Sequence, residues 1–183
     1  MSSSVYFASS NKNKFEEAHS IATKFGMKLK FLKCHLQEIQ SDSLEEIARH
    51  KATQAFSLCL RPVIVEDDGI FIKSLNGFPG PYSSFVFDTI GNKGILRLVS
   101  TKRDAVFRSI IAYCEKEGNV HLFSANVNGK ISKNERGRRW GFDPIFIPSG
   151  KTQTYSQIKE KNQISHRYLA LRKFASWYLN KQR

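Results

Sequence analysis

The sequence predicts an α/β fold with a mixed central sheet and flanking helices, and three features carry that prediction. Residues 5–65 alternate short apolar runs with amphipathic stretches at helical spacing, a β-α-β-α-β order. Residues 105–131 change to two strand-like runs separated by "EKEGN". The last residues return to a helical period. At 183 residues the chain is long enough for one ordinary domain, or one domain with two lobes.

"VYFAS" (5–9) reads as a mostly apolar strand. Phe15, Ala18, Ala22 and Phe25 then recur on one helical face, and Gly26 ends the helix. "KLKFLKC" (28–34) alternates as a strand does. A second helix is predicted over 43–60, with Ser43 as N-cap and Leu44, Ile47, Ala48, Ala52, Ala55 and Leu58 inward. "VIV" (63–65) is a buried strand ending in Glu66, Asp67 and Asp68, after which "GIFI" continues extended. Residues 84–100 look helical in their later part. The strands of 105–131 include Asn128-Gly129, a strong hairpin-turn signal, and "IFIP" (145–148) is a further strand. In the closing helix Ile164, Tyr168, Leu171, Ala175 and Tyr178 share a face.

No apolar run approaches the ~20 residues of a membrane span, and the "MSSSVYFASSNKNK" start lacks the charge and apolar core of a signal peptide. The expected location is cytoplasmic, with no membrane partner. Cys34, Cys59 and Cys114 are too scattered for a disulfide framework or a zinc site. The 29 basic residues against 16 acidic ones give a formal charge of +13, which favours a phosphate-rich partner.

In sheets of this kind ligands sit beyond the carboxyl ends of strands, which points to two places. "SSNKNK" (9–14) joins a strand to a helix start, where backbone N–H groups and the helix dipole favour an anion. Ser9, Ser10 and Asn11 add donors there, and Lys14 can turn back toward the same anion. On this stretch alone, plain N-capping by Ser10 or Asn11 with solvated lysines is the simpler reading. The second place is the acidic cluster, whose adjacent carboxylates can divide metal binding and proton transfer between them. "WGFDP" (140–144) pairs Trp140 and Phe142, aromatics suited to stacking on a purine, with Asp143 beside them. "KNQISHR" (161–167) brings Lys161, Ser165, His166 and Arg167 to the start of the last helix, where donors fit carbonyl or phosphate oxygens. "SGKT" (149–152) is no P-loop, since Ile145 stands where the first glycine is needed.

In this order, "SSNKNK", "VEDDG", "GFPGPY", "WGFDPIF" and "SHR" resemble the inosine triphosphate pyrophosphatase family over nearly the whole chain. The resemblance implies two lobes around a substrate cleft, Mg²⁺ as cofactor and a homodimer. It also implies release of pyrophosphate from deaminated purine nucleoside triphosphates, ITP, dITP and XTP. Asp67 and Lys14 are implied as catalytic, and Glu38 and Asp67 as metal ligands. Ser9, Ser10, Asn11 and Lys14 would hold the phosphates, with Asp68 also lining the substrate site. Trp140, Gly141, Phe142 and Asp143 would bind the base, with His166 or Arg167 donating to its keto group, and Lys161 would also contact the substrate. Asp68 departs from the hydroxyl residue usual in the family's motif, and Ser9-Ser10 replace its threonine and glycine. Two rivals stand beside this reading. One is a basic nucleic-acid-binding module using "RGRR" (136–139), with salt-sensitive affinity and no need for metal; the other is a related pyrophosphatase for other modified nucleotides. On the preferred reading the partner is a purine nucleoside triphosphate and nucleic acid is not expected.

Overall fold

The structure, a computed structural model, describes residues 4–182; the first residues of the N-terminal stretch read above lie outside it. Strand β1 (Val5–Ser9) leads into helix α1 (Lys12–Lys24), strand β2 (Leu29–Lys33) and helix α2 (Leu44–Cys59). Strand β3 (Val63–Ile72), strand β4 (Pro79–Gly80) and the short helices α3 (Ser83–Thr89) and α4 (Gly91–Leu98) follow. Strands β5 (Asp104–Lys116), β6 (Asn119–Ile131) and β7 (Phe146–Pro148) precede the final helix α5 (His166–Lys181). The strand order is β2-β1-β3-β5-β6-β7, with β4 on β3. β1 is parallel to β2 and β3, whereas β4 on β3 and β7 on β6 are antiparallel, so the sheet is mixed as expected.

The chain divides into two compact units. The first contains Met1–Asp67, Ser109–Ala125 and Arg167–Arg183, and the second Asp68–Arg108 and Asn126–His166. The first core gathers Phe7 and Ile64 from the sheet with Ile21 of α1 and Leu171 and Phe174 of α5. Phe15 and Phe25 pack at its margin. The second gathers Ile70, Ile95, Phe107, Ile131, Phe146 and Tyr155. Among the described residues no helix is long and apolar enough to cross a membrane.

Local chemistry sets the element ends. Asn11 accepts from the Lys14 amide at 3.2 Å and Ser43 from the Glu46 amide at 3.3 Å, each satisfying a donor that a helix start leaves open. β3 does not end at the acidic cluster but runs through it for ten residues. It lies between β1 and β5, and its near-continuous burial in place of alternation means that both of its faces are covered. Gly69 permits this: a Cβ there would fall on the Gly80 carbonyl of β4.

Three expectations need correction. Asn128-Gly129 is no turn; both lie inside β6, and the β5–β6 connection is Glu117-Gly118. Gly129 is there for close approach, because a Cβ would meet the Ile147 carbonyl and come within 2.6 Å of the Phe146 ring. Leu58 is 64% exposed, since the buried stripe of α2 turns away before its last turn. Ile164 precedes α5 and packs on the second core, whereas Leu171, Ala175 and Tyr178 belong to the first.

Gly129→Ala should therefore lower stability by about 1–3 kcal/mol through overpacking. Urea unfolding followed by circular dichroism measures it; an unchanged midpoint would refute the close-approach reading.

Candidate active site

Ionised carboxylates are costly to bury without partners, and β3 carries three in succession. Side chains alternate along a strand, so Asp67 points opposite to its two neighbours. Glu66 and Asp67 each meet a cation, and Asp68 an imidazole. Glu66, 4% exposed, accepts from Arg167 Nε at 2.7 Å and from Ser109 Oγ at 2.8 Å. A terminal amine of Arg167 also donates to Glu17 of α1. Asp67 accepts from Lys51 Nζ at 2.7 Å. Asp68 Oδ2 lies 3.6 Å from His166 Nε2, within ion-pair range but too long for a hydrogen bond.

In the first unit, Lys51 binds two carboxylates at once. Its ammonium is 2.7 Å from Asp67 Oδ1 and 2.8 Å from Glu38 Oε1. Burial pushes the Asp67 carboxyl above its ordinary range, against the pull of the Lys51 and Lys14 charges. Burial also acts on Glu38, but Lys51, by charge and hydrogen bond, with Lys14 and His35, brings that carboxyl below its ordinary range. Glu38 is held in place from behind. Gln54, on α2, donates its amide to the Gln37 carbonyl at 3.1 Å and accepts from the Gln37 amide at 3.0 Å.

The 9–14 loop forms the expected strand-to-helix corner. Ser9 Oγ accepts from the Asn11 amide at 3.0 Å, and Asn11 caps α1. The first turn of α1 has no acidic residue, only Lys12, Asn13 and Lys14. Basic side chains at a helix start oppose the dipole, so this end suits an anion.

The second unit holds the residues expected at the base. Lys161, 1% exposed, is ion-paired to Asp143 at 2.6 Å, and its Nζ lies 5.6 Å from the Trp140 ring centroid and 5.9 Å from that of Tyr155. His166 stacks on Phe107 with centroids 3.9 Å apart and planes 7° from parallel. Asn92 of α4 donates to the Gly141 carbonyl at 3.1 Å and fixes the 140–144 loop.

Two site expectations are revised by these contacts. Phe142 is 5% exposed and packs edge-on against Phe87, so its ring belongs to the core and Trp140 is the aromatic left with a partly exposed ring. Arg167 is 1% exposed, and its Nε and one terminal amine are given to Glu66 and Glu17. It organises the acidic strand; the donor facing the second unit's cluster is His166. Lys51, Glu17 and Ser109 were not among the expected site residues. Lys51 had a readable signal: it lies four residues from both Ile47 and Ala55, inside the apolar stripe of α2.

Among the described residues no three His, Cys, Asp or Glu side chains converge on one point. Glu38 and Asp67 are nevertheless a fitting pair for a hard cation that completes its shell with water and substrate phosphates. Asp67 Oδ2 is buried and has no hydrogen-bond partner, which leaves an acceptor to be used.

The profile of the Ham1 family matches residues 5–177. A dITP/XTP pyrophosphatase of Methanopyrus kandleri is 46% identical over 181 residues, covering 96% of this chain and 96% of that protein. Another, from Hyperthermus butylicus, is 42% identical over 178 residues, covering 94% and 93%. A solved Ham1 protein from Coxiella burnetii superposes with a TM-score of 0.81 at 26% identity, over 97% of this chain and 98% of that one.

Lys161→Met should destabilise the protein by about 3–5 kcal/mol, because it leaves Asp143 charged and buried. Adding Asp143→Leu should recover most of that loss in urea unfolding. A single variant as stable as the parent would contradict the buried pairing.

Proposed function

The chain belongs to the Ham1 family, and we propose that it hydrolyses ITP, dITP and XTP to the nucleoside monophosphate and pyrophosphate. It is a hydrolase of non-standard purine nucleoside triphosphates, like the relatives named for that reaction. The observation that supports the mechanism most is Asp67: a buried carboxylate, raised above its ordinary range, with one oxygen unpartnered.

On this reading Asp67 orients a water and takes its proton as the oxygen attacks the α-phosphorus. The bond from that phosphorus to the bridging oxygen breaks, and its electron pair leaves with pyrophosphate. Lys14 and the 9–14 loop, with Ser9, Ser10 and Asn11, hold the phosphate tail. Glu38 and Asp67 would hold Mg²⁺, which when bound neutralises charge developing on the phosphate oxygens. Arg167 acts through Glu66 and Glu17, keeping the strand that carries Asp67 in register.

Trp140 offers its ring to the base, while Lys161 and Asp143 brace the loop behind it. A 6-keto group accepts hydrogen bonds where adenine's amino group donates, so a donor from His166 rewards the deaminated purine. Asp68 stands beside His166 as its carboxylate neighbour. That gives the unusual acid a role in holding the imidazole. The assembly we propose is a homodimer in the cytoplasm. The exposed side chains of Phe78, Tyr82, Phe85 and Ile90 in the second unit suit a buried contact.

Pyrophosphate release from ITP, XTP, GTP and ATP, with Mg²⁺ and with EDTA, tests the reaction. Fast release from ITP and XTP, abolished by EDTA, is expected; equal rates on ATP would overturn the keto-group reading. Asp67→Asn should lower kcat by ~10²- to 10⁴-fold while the circular dichroism spectrum is unchanged. Because the base form is the ionised one, activity falls as pH drops through the raised Asp67 value. The acid limb of kcat/KM should therefore lie above the ordinary aspartate value of about 3.9. Lys14→Met removes a charge that favours the carboxylate, and should move that limb to still higher pH.

A further inference from the structure

Resting on the reading above, we propose that Lys51 keeps the metal-binding carboxylates closed and yields them only when a triphosphate offers its ammonium another anion. The geometry behind this is direct. The one ammonium spans Glu38 Oε1 and Asp67 Oδ1, the side chains that would hold the cation. The Lys51 side chain is 12% exposed, and that of Asp67 is 10% exposed, so water screens the contact weakly.

A divalent ion entering between these oxygens would lie a few ångströms from an ammonium, and the two cations would repel. Lys51 would have to withdraw, and withdrawal without a new partner leaves a desolvated charge unpaired. Phosphate oxygens remove that obstacle, because they accept the lysine and contribute ligands to the ion. Nucleotide and metal therefore bind cooperatively, and free metal binds weakly. Lys14 adds to the bias, since its charge already acts on both carboxylates. Lys51 is thus both the counter-ion that lets Asp67 be buried and a phosphate ligand in waiting.

The test measures binding of Mn²⁺ alone, by loss of the free-ion paramagnetic resonance signal at pH 8, to nucleotide-free protein. Lys51→Met is expected to bind Mn²⁺ at least ten-fold more tightly than the parent, and Lys51→Met/Asp67→Asn to lose the gain. Lys51→Gln serves as a second variant, with circular dichroism reporting whether each has folded. The parent supplies a third measurement: a non-hydrolysable α,β-imido analogue of ITP should raise its Mn²⁺ affinity at least ten-fold. Parent and Lys51→Met binding Mn²⁺ equally would overturn the proposal, as would a gain that survives Asp67→Asn. Equal Mn²⁺ affinity of the parent with and without the analogue would overturn it on the parent alone. Turnover of ITP by the parent is measured separately, so failure of the enzymatic reading is distinguishable from failure of the gate.

Discussion

Burial of two successive carboxylates, Glu66 and Asp67, in one strand is the constraint on which the rest of this structure depends. β3 is covered on both faces, so Glu66 and Asp67 cannot be left to solvent. Each needs a cation delivered from a remote part of the chain: Arg167 from α5 for Glu66, and Lys51 from α2 for Asp67. Asp68 has His166. Buried ion pairs add little net stability against an apolar alternative, because desolvation offsets the attraction. Stability alone therefore does not account for three ionisable side chains in succession on this strand.

Two lysines, one buried and one partly exposed, show how burial changes what an ion pair can do. Lys161 and Asp143 form a closed pair, 1% and 4% exposed, which stiffens the 140–144 loop and carries Trp140 with it. Lys51 is shared between two acceptors, one of them, Glu38, with a side chain 59% exposed. A pair sealed on all sides resists rearrangement, whereas an ammonium at the edge of solvent can trade one anion for another. The same residue type thereby holds a loop in one unit and bridges two carboxylates in the other.

Local order around these groups comes from ordinary devices. Asn11 and Ser43 cap the helices that carry Lys14 and Lys51, fixing where each lysine begins. Gln54 pairs with both backbone groups of Gln37 and so anchors the residue before Glu38. Asn92 does the same for the carbonyl of Gly141. Glu38 and the 140–144 loop therefore rest on backbone that is hydrogen-bonded close by, which lowers the conformational freedom of both segments.

By itself the sequence determined the alternation of strands and helices and the cap at Ser43, and it singled out the residues proposed for the chemistry. These follow from side-chain period and residue type, which are local properties. Asn128-Gly129 marks the limit of such reasoning. A turn signal was overridden because Phe146 and Ile147 pack against Gly129, a contact between distant segments. Phe142 and Arg167 were legible as unusual residues, but not as a core ring and a strand clamp. Those roles depend on Phe87, Glu66 and Glu17 arriving beside them. Lys51 was visible as a lysine in an apolar stripe, yet only tertiary structure placed its ammonium between Glu38 and Asp67. The reason is physical: propensity and period act over a few residues, whereas charge compensation in a buried site is decided by which chain segments the core brings together.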